Sequence, residues 1–278
     1  MSSMRFDDNS IAWLADLLAE TAAAEIMTRF RRLDTGDIRE KTSATDLVTE
    51  ADVNAERVIT KALNEKFPGA LVVGEEAHAE DPSILRGLGD ADLAFVIDPV
   101  DGTINFASGL PLFGVMLSVV AKGETVAGMI YDPVGRDYVI GARGAGSHVL
   151  RSDGRQEPCR VTPAAPVDRM VGAMSWNNMK EPERSSVAAN QAKFFAGFNY
   201  RCAAVEYRLL VTGGAHFVVY NKLMPWDHLA GALIHAEAGG YSARFDGSAY
   251  LPSHVSGGLI AAPDRDSWQA IRSTLGLG

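Results

Sequence analysis

The chain has 278 residues, 47% of them apolar, enough to bury a sizeable core as one large domain or two small ones. With 26 basic against 35 acidic residues the net charge is −9, which excludes a general nucleic-acid-binding surface, because phosphate backbones demand a positive footprint. Cys159 and Cys202 lie far apart without metal-ligand spacing, so neither a disulfide framework nor a zinc site is indicated, and a reducing cytoplasm fits.

The polar Met1–Ser10 segment is followed by apolar residues interrupted by Asp16 and Glu20, so no signal peptide or membrane span is expected. Ile11, Leu14, Leu17, Leu18, Ala22 and Ile26 keep helical spacing and predict a packing helix over Ile11–Phe30. Lys41–Val48 reads as an exposed connection, and Thr49 with Asp52 three residues on reads as the N-terminal cap of the next helix. Ala70–Gly74 predicts a short strand that ends on Glu75 and Glu76.

A more informative strand end follows. Phe95-Val96-Ile97 is apolar and runs into Asp98-Pro99-Val100-Asp101-Gly102-Thr103, the pattern of a buried strand delivering carboxylates to a turn. Two carboxylates so close repel unless a cation separates them, and hard divalent ions such as magnesium prefer oxygen ligands. The backbone N–H groups of Gly102 and Thr103 would face the same space, where a phosphate can accept them. Read alone, Asp98 and Asp101 suit a solvated turn equally well.

Leu112–Ala121, Thr125–Tyr131 and Tyr138–Ile140 predict a meander, and the Gly141–Gly146 run, which opens no helix, is not read as a phosphate loop. Pro158–Pro166 marks the best internal boundary, dividing the chain at 1–157 and 158–278 within what should be one compact unit. Beyond it helices are expected over Glu183–Lys193, Ala203–Val211, Trp226–Ala238 and Ser267–Leu275, with strands at Met170–Met174, His216–Tyr220, Tyr241–Phe245 and Leu259–Ala262. Asp227 after Pro225-Trp226 suits a helix N-terminus, and His228 and His235 read as packing or surface side chains rather than zinc ligands. Helices and strands without strict βαβ alternation point to a layered α+β sandwich.

Four blocks in order, Lys41–Asp52 (KTSATDLVTEAD), Val73–Glu76 (VGEE), Ile97–Phe106 (IDPVDGTINF) and Pro225–Gly240 (PWDHLAGALIHAEAGG), resemble the inositol monophosphatase family of magnesium-dependent, lithium-sensitive phosphatases. The resemblance implies an αβαβα five-layered sandwich, a cytoplasmic homodimer, and two to three Mg2+ ions per site. It implies that Glu75, Asp98 and the Val100 carbonyl bind one ion, that Asp98, Asp101 and Asp227 bind a second, and that a third leans on Glu75. It further implies in-line attack by a metal-activated water that Glu75 and the Thr103 hydroxyl position, with Asp46 accepting the threonine proton.

By the same resemblance, Gly102, Thr103 and Lys41 would hold the phosphate, while Ala203 and Tyr220 would contact the alcohol. Tyr220 stands where inositol-specific members carry a glutamate, so fructose 1,6-bisphosphate and histidinol phosphate remain alternative substrates. A regulatory protein associated with transcription machinery is the alternative of another class. Such a protein would not need Glu75, Asp98, Asp101, Thr103 and Asp227 all intact.

Overall fold

The computed structural model describes residues 8–43 and 46–277, without the side chains of Asp8, Thr35, Thr42, Ser43 and Asp46. Its first half comprises α1 (Asp8–Thr21), β1 (Ile38–Ser43), β2 (Asp46–Thr49), α2 (Glu50–Lys66), β3 (Leu71–Gly74), α3 (Glu75–Glu80), β4 (Ala94–Asp101), α4 (Thr103–Ala107), β5 (Gly114–Ala121), β6 (Glu124–Asp132), β7 (Asp137–Ala142), β8 (Gly146–Leu150) and β9 (Gln156–Pro158). The second comprises β10 (Val171–Met174), α5 (Glu183–Asn190), β11 (Ala196–Phe198), α6 (Ala203–Val211), β12 (Phe217–Tyr220), α7 (Pro225–Glu237), β13 (Tyr241–Arg244), β14 (Leu259–Ala262) and α8 (Arg265–Leu275).

β3 to β9 form a seven-stranded sheet in chain order, with β3 parallel to β4 and the remaining neighbours antiparallel. β11-β10-β12-β14-β13 form a second, mixed sheet of five. The period-2 alternation of side chains divides each strand between two cores. In β5, Val115, Leu117 and Val119 meet Leu14, Leu18, Ile59 and Leu63 of α1 and α2. On the other face, Met116 joins Ile130 and Val139 against Tyr207 of α6 and Ala230 and Ile234 of α7. The second sheet covers that helix layer with Val218 and Tyr220 of β12, and turns Phe217 and Val219 outward onto Trp268, Ile271 and Leu275 of α8. The result is helix, sheet, helix, sheet, helix, the five layers expected.

Several local readings change. The Lys41–Val48 connection is part of an antiparallel pair, β1 with β2, apart from Ala44 and Thr45, which lie outside the described residues. The first helix passes at Ala22–Ile26 into a π-helical turn rather than continuing as α-helix to Phe30. β8, β9 and β11 had no sequence signal. Pro99 does not stop β4, because the pairing with β5 shifts register between Asp98 and Asp101, and an irregularity of that kind tolerates proline. The Gly141–Gly146 run is a hairpin turn whose Gly144 and Gly146 amides donate to the Glu237 carboxylate at 2.8 and 2.9 Å.

α7 lies close against the first sheet. A Cβ on Gly128 would come within 2.8 Å of the Ala230 backbone, so glycine there sets the helix–sheet distance. His235, on the same helix, is fully buried, with Nδ1 3.0 Å from Ser242 Oγ and no partner for Nε2 among the described residues. Burial holds its imidazole down at about 4, against 6.5 ordinarily.

A base whose charged form the fold excludes adds stability that is present above the unfolded value and lost as pH falls from 6.5 towards 4, on the order of 3 kcal/mol at most. Denaturant unfolding at pH 7 and pH 5 should show wild type losing more stability on acidification than His235→Asn. Equal losses in the two proteins would rule out this contribution.

Candidate active site

The acids converge because of sheet register. β3 and β4 are parallel neighbours with Gly74 opposite Ile97, so the residues that follow, Glu75 and Asp98, emerge side by side. α7 crosses beneath the same sheet and brings Asp227, in its first turn, to that edge. Carboxylate oxygens of Glu75, Asp98 and Asp227 all lie within 4.8 Å of one another. Asp98 is 2% exposed and Asp101 is 8% exposed, while Glu75 and Asp227 open partly to a cleft of about 600 Å3. Val100, Gly102, Thr103, Ser175, Trp176, Asn199, Arg201 and Lys222 also border this cleft.

Asp101 is tied differently. Its Oδ2 accepts from the Ala204 amide at 2.5 Å, and the Cys202 thiol lies 3.2 Å from the same oxygen, which anchors the start of α6 to the site. Gly102 adopts φ 87°, the left-handed region, and a Cβ there would lie 2.7 Å from the Leu112 carbonyl and 3.1 Å from Cys202 Sγ. Glycine is therefore required for the chain to turn from β4 into Thr103.

Thr103 has a partner that its local sequence does not announce. Its hydroxyl lies 3.0 Å from Asp52 Oδ1 and 3.0 Å from the Val100 carbonyl. Among the described residues the carboxylate facing it is that of Asp52, a residue whose local sequence signals only a helix cap; the Asp46 side chain lies outside the described residues. Asp52 does both, since its Oδ2 accepts from the Thr49 amide at 2.9 Å and the Thr49 hydroxyl at 2.5 Å. The capping signal was legible, but a partner 51 positions away was not.

Lys41 reaches Glu75 at 2.8 Å and Glu76 at 2.6 Å. Burial opposes its charge, yet the two glutamates hold its proton above the usual range. It therefore faces Glu75 directly. Ala203 and Tyr220 line a smaller recess that opens off the cleft. Arg201, Lys222, Asn199 and Glu206 were not singled out from sequence, because nothing local distinguishes them.

Burial, reinforced by the neighbouring acids, pushes the Asp98 and Asp227 carboxyls well above the usual range. Burial likewise lifts Asp101 and Asp52 to about 6, and Glu76 to about 8. An oxygen-only donor set of mutually repelling, buried carboxylates suits a hard divalent cation, which would offset the repulsion. With folded values raised, the metal-free fold is stabilised by these groups at low pH, and this is lost as pH rises from about 4 through about 6.

The rise in melting temperature on replacing EDTA by MgCl2 should accordingly be larger at pH 7.5 than at pH 5. A rise of the same size at both pH values, or none, would count against a cation site here.

A Thermotoga maritima protein named fructose-1,6-bisphosphatase/inositol-1-monophosphatase is 30% identical over 242 residues, 84% of this chain and 86% of its own. The Pseudomonas aeruginosa Nus factor SuhB is 32% identical over 269 residues, 93% of each chain. Among solved structures, the inositol monophosphatase of Zymomonas mobilis superposes with a TM-score of 0.79 at 25% identity, covering 99% of this chain and 100% of that one. The family model of inositol monophosphatases matches residues 8–275, which with the layered fold and the acid cluster at the sheet edge places the chain in the inositol monophosphatase family.

Proposed function

We propose that the protein is a magnesium-dependent phosphomonoesterase acting on inositol monophosphate or a similar small polyol phosphate. The observation that carries this reading is the convergence of Glu75, Asp98 and Asp227 on one cleft beside Thr103. Glu75, Asp98, Asp101, Asp227 and the Val100 carbonyl would hold the metal. Magnesium, when bound there, supplies neutralisation of the phosphate and a lowered pKa for an attacking water.

The chain's own groups divide the remaining work. Asp52 Oδ1 holds the Thr103 proton, so the Thr103 oxygen can accept from a water that Glu75 orients, and the proton passes along to Asp52. No side chain need be phosphorylated in this arrangement. The amides of Gly102 and Thr103 cradle the phosphate at the turn that Gly102 makes possible. Lys41, bound to Glu75 and Glu76, adds positive field beside the cradle.

One observation favours a second reading of the substrate. Arg201 and Lys222 are exposed at the mouth of the cleft, and neither forms an ion pair among the described residues. Arg201 sits at φ 52°, with its amide donating to Asn199 Oδ1 at 2.8 Å. A substrate carrying a second phosphate, such as the bisphosphate in the Thermotoga relative's name, would find two cations there. A regulatory role of the kind named for the Pseudomonas relative remains compatible with the enzyme reading, but it does not account for retention of every acid in the cleft.

Phosphate release from inositol 1-phosphate should require Mg2+, and Asp98→Asn should remove it while the protein still unfolds cooperatively; undiminished turnover in that variant would sink the assignment. Asp52→Asn should lower kcat by roughly 10²- to 10⁴-fold, the usual worth of a proton acceptor. If Asp46→Asn gave that loss and Asp52→Asn did not, the relay drawn above would be wrong. Arg201→Gln with Lys222→Gln should raise KM for fructose 1,6-bisphosphate more than for inositol 1-phosphate, and an equal change in both would dismiss the second reading.

A further inference from the structure

Glu56 of α2 is 4% exposed, and none of the chemistry described above uses it. Its Oε2 accepts from the Glu76 amide and its Oε1 from the Ala77 amide, each at 2.8 Å. Both oxygens of one carboxylate are thus committed to two consecutive amides, through bonds stronger than those between neutral groups. The same carboxylate lies against the chain just before Glu75. A Cβ on Gly74 would overlap Glu56 Cδ and both of its carboxylate oxygens, so only glycine allows the close approach. Glu56 therefore grips the backbone on either side of Glu75, at the point where β3 leaves its register with β4.

Asp52 stands four positions earlier on α2, on the same face, and its Oδ1 accepts from the Thr103 hydroxyl at 3.0 Å. One helix therefore sets both groups that orient the attacking water, Thr103 through Asp52 and Glu75 through Glu56. Their spacing is that of residues one helical turn apart, about 5–6 Å between Cβ atoms, rather than that of a loop. Ala55, Ile59 and Leu63, all fully buried, lock α2 into the core against the first sheet. An apolar residue in place of Glu56 would dock α3 on α2 at less cost, since burying a carboxylate is expensive. It would not fix the direction of the backbone that carries Glu75.

We infer that Glu56 is a positioning residue for the metal centre, holding Glu75 at the spacing from Asp98 and Thr103 that a shared cation requires. This rests on the phosphatase reading of the cleft, and it adds an acid from α2 that lies outside the four sequence blocks. Ligands whose supporting bonds are removed lose metal affinity before they lose the fold, because a cation tolerates little freedom in its donors.

The test measures Mn2+ binding by calorimetry, and the Mg2+ dependence of phosphate release from inositol 1-phosphate, in wild type, Glu56→Gln and Leu63→Ala. Glutamine keeps the volume of Glu56 but turns its NH2 group toward one of the two amides. Leu63→Ala is the control, opening a cavity under the same helix. Glu56→Gln should bind Mn2+ about tenfold more weakly and need about tenfold more Mg2+ for half-maximal activity, the worth of one hydrogen bond to a charged group. Most of kcat should return at saturating Mg2+, and Leu63→Ala should leave both metal constants unchanged. Unchanged Mn2+ affinity in Glu56→Gln, or an equal loss in Leu63→Ala, would make Glu56 structural only and overturn the inference. If Glu56→Gln does not fold, Gly74→Ala, whose methyl group displaces the same carboxylate, takes its place under the same two outcomes. Wild type that binds Mn2+ without releasing phosphate defeats the phosphatase reading alone, and the Mn2+ affinities then decide the role of Glu56; wild type that binds no Mn2+ defeats both.

Discussion

Mutual repulsion among buried carboxylates is the constraint around which this structure is arranged. Asp98, Asp101 and Asp227 occupy positions where burial alone would favour their neutral forms, and each raises the cost of ionising the next. Such a cluster persists only where the surrounding fold over-determines it or a cation relieves it. Here the over-determination is visible: a parallel strand pair aligns Glu75 with Asp98, a register shift re-aims Asp101, and a helix wedged between two sheets presents Asp227. Stability and chemistry are therefore coupled at one edge of one sheet.

The two cores that meet at α6 and α7 explain why the site can be so exacting. Met116, Ile130 and Val139 from one sheet and Val218, Leu259 and Ala261 from the other clamp these helices on both sides. α7 carries Asp227 at its start, and α6 carries the Ala204 amide that holds Asp101, so the central layer positions the second half of the acid cluster. The clustered acids come from strand ends and helix starts, where packing is rigid enough to fix oxygen positions.

Much of this was legible in the sequence, and the reasons are specific. The apolar run Phe95-Val96-Ile97 before Asp98 announces a buried strand delivering an acid, and the proline and glycine that follow announce the turn. α6 was read with its observed bounds, because its apolar spacing is regular. What could not be read depends on long-range partners. Thr49 and Asp52 reveal a cap locally, yet the same carboxylate meets Thr103 only when the helix docks on β4. The Gly141–Gly146 run shows no sign that Glu237 will fill its amides. Glu206 looks like any solvent-facing acid of an amphipathic helix until α6 is buried between two sheets.

The central claim is that Glu75, Asp98 and Asp227 share divalent cations. It is tested most directly by growing crystals with Mn2+ and locating the ions from their anomalous scattering. The expected result is a peak within roughly 2–2.5 Å of oxygens from all three carboxylates, the distance such ions keep from oxygen ligands. A cleft without anomalous density, or manganese bound only at sites remote from Asp98, would contradict it.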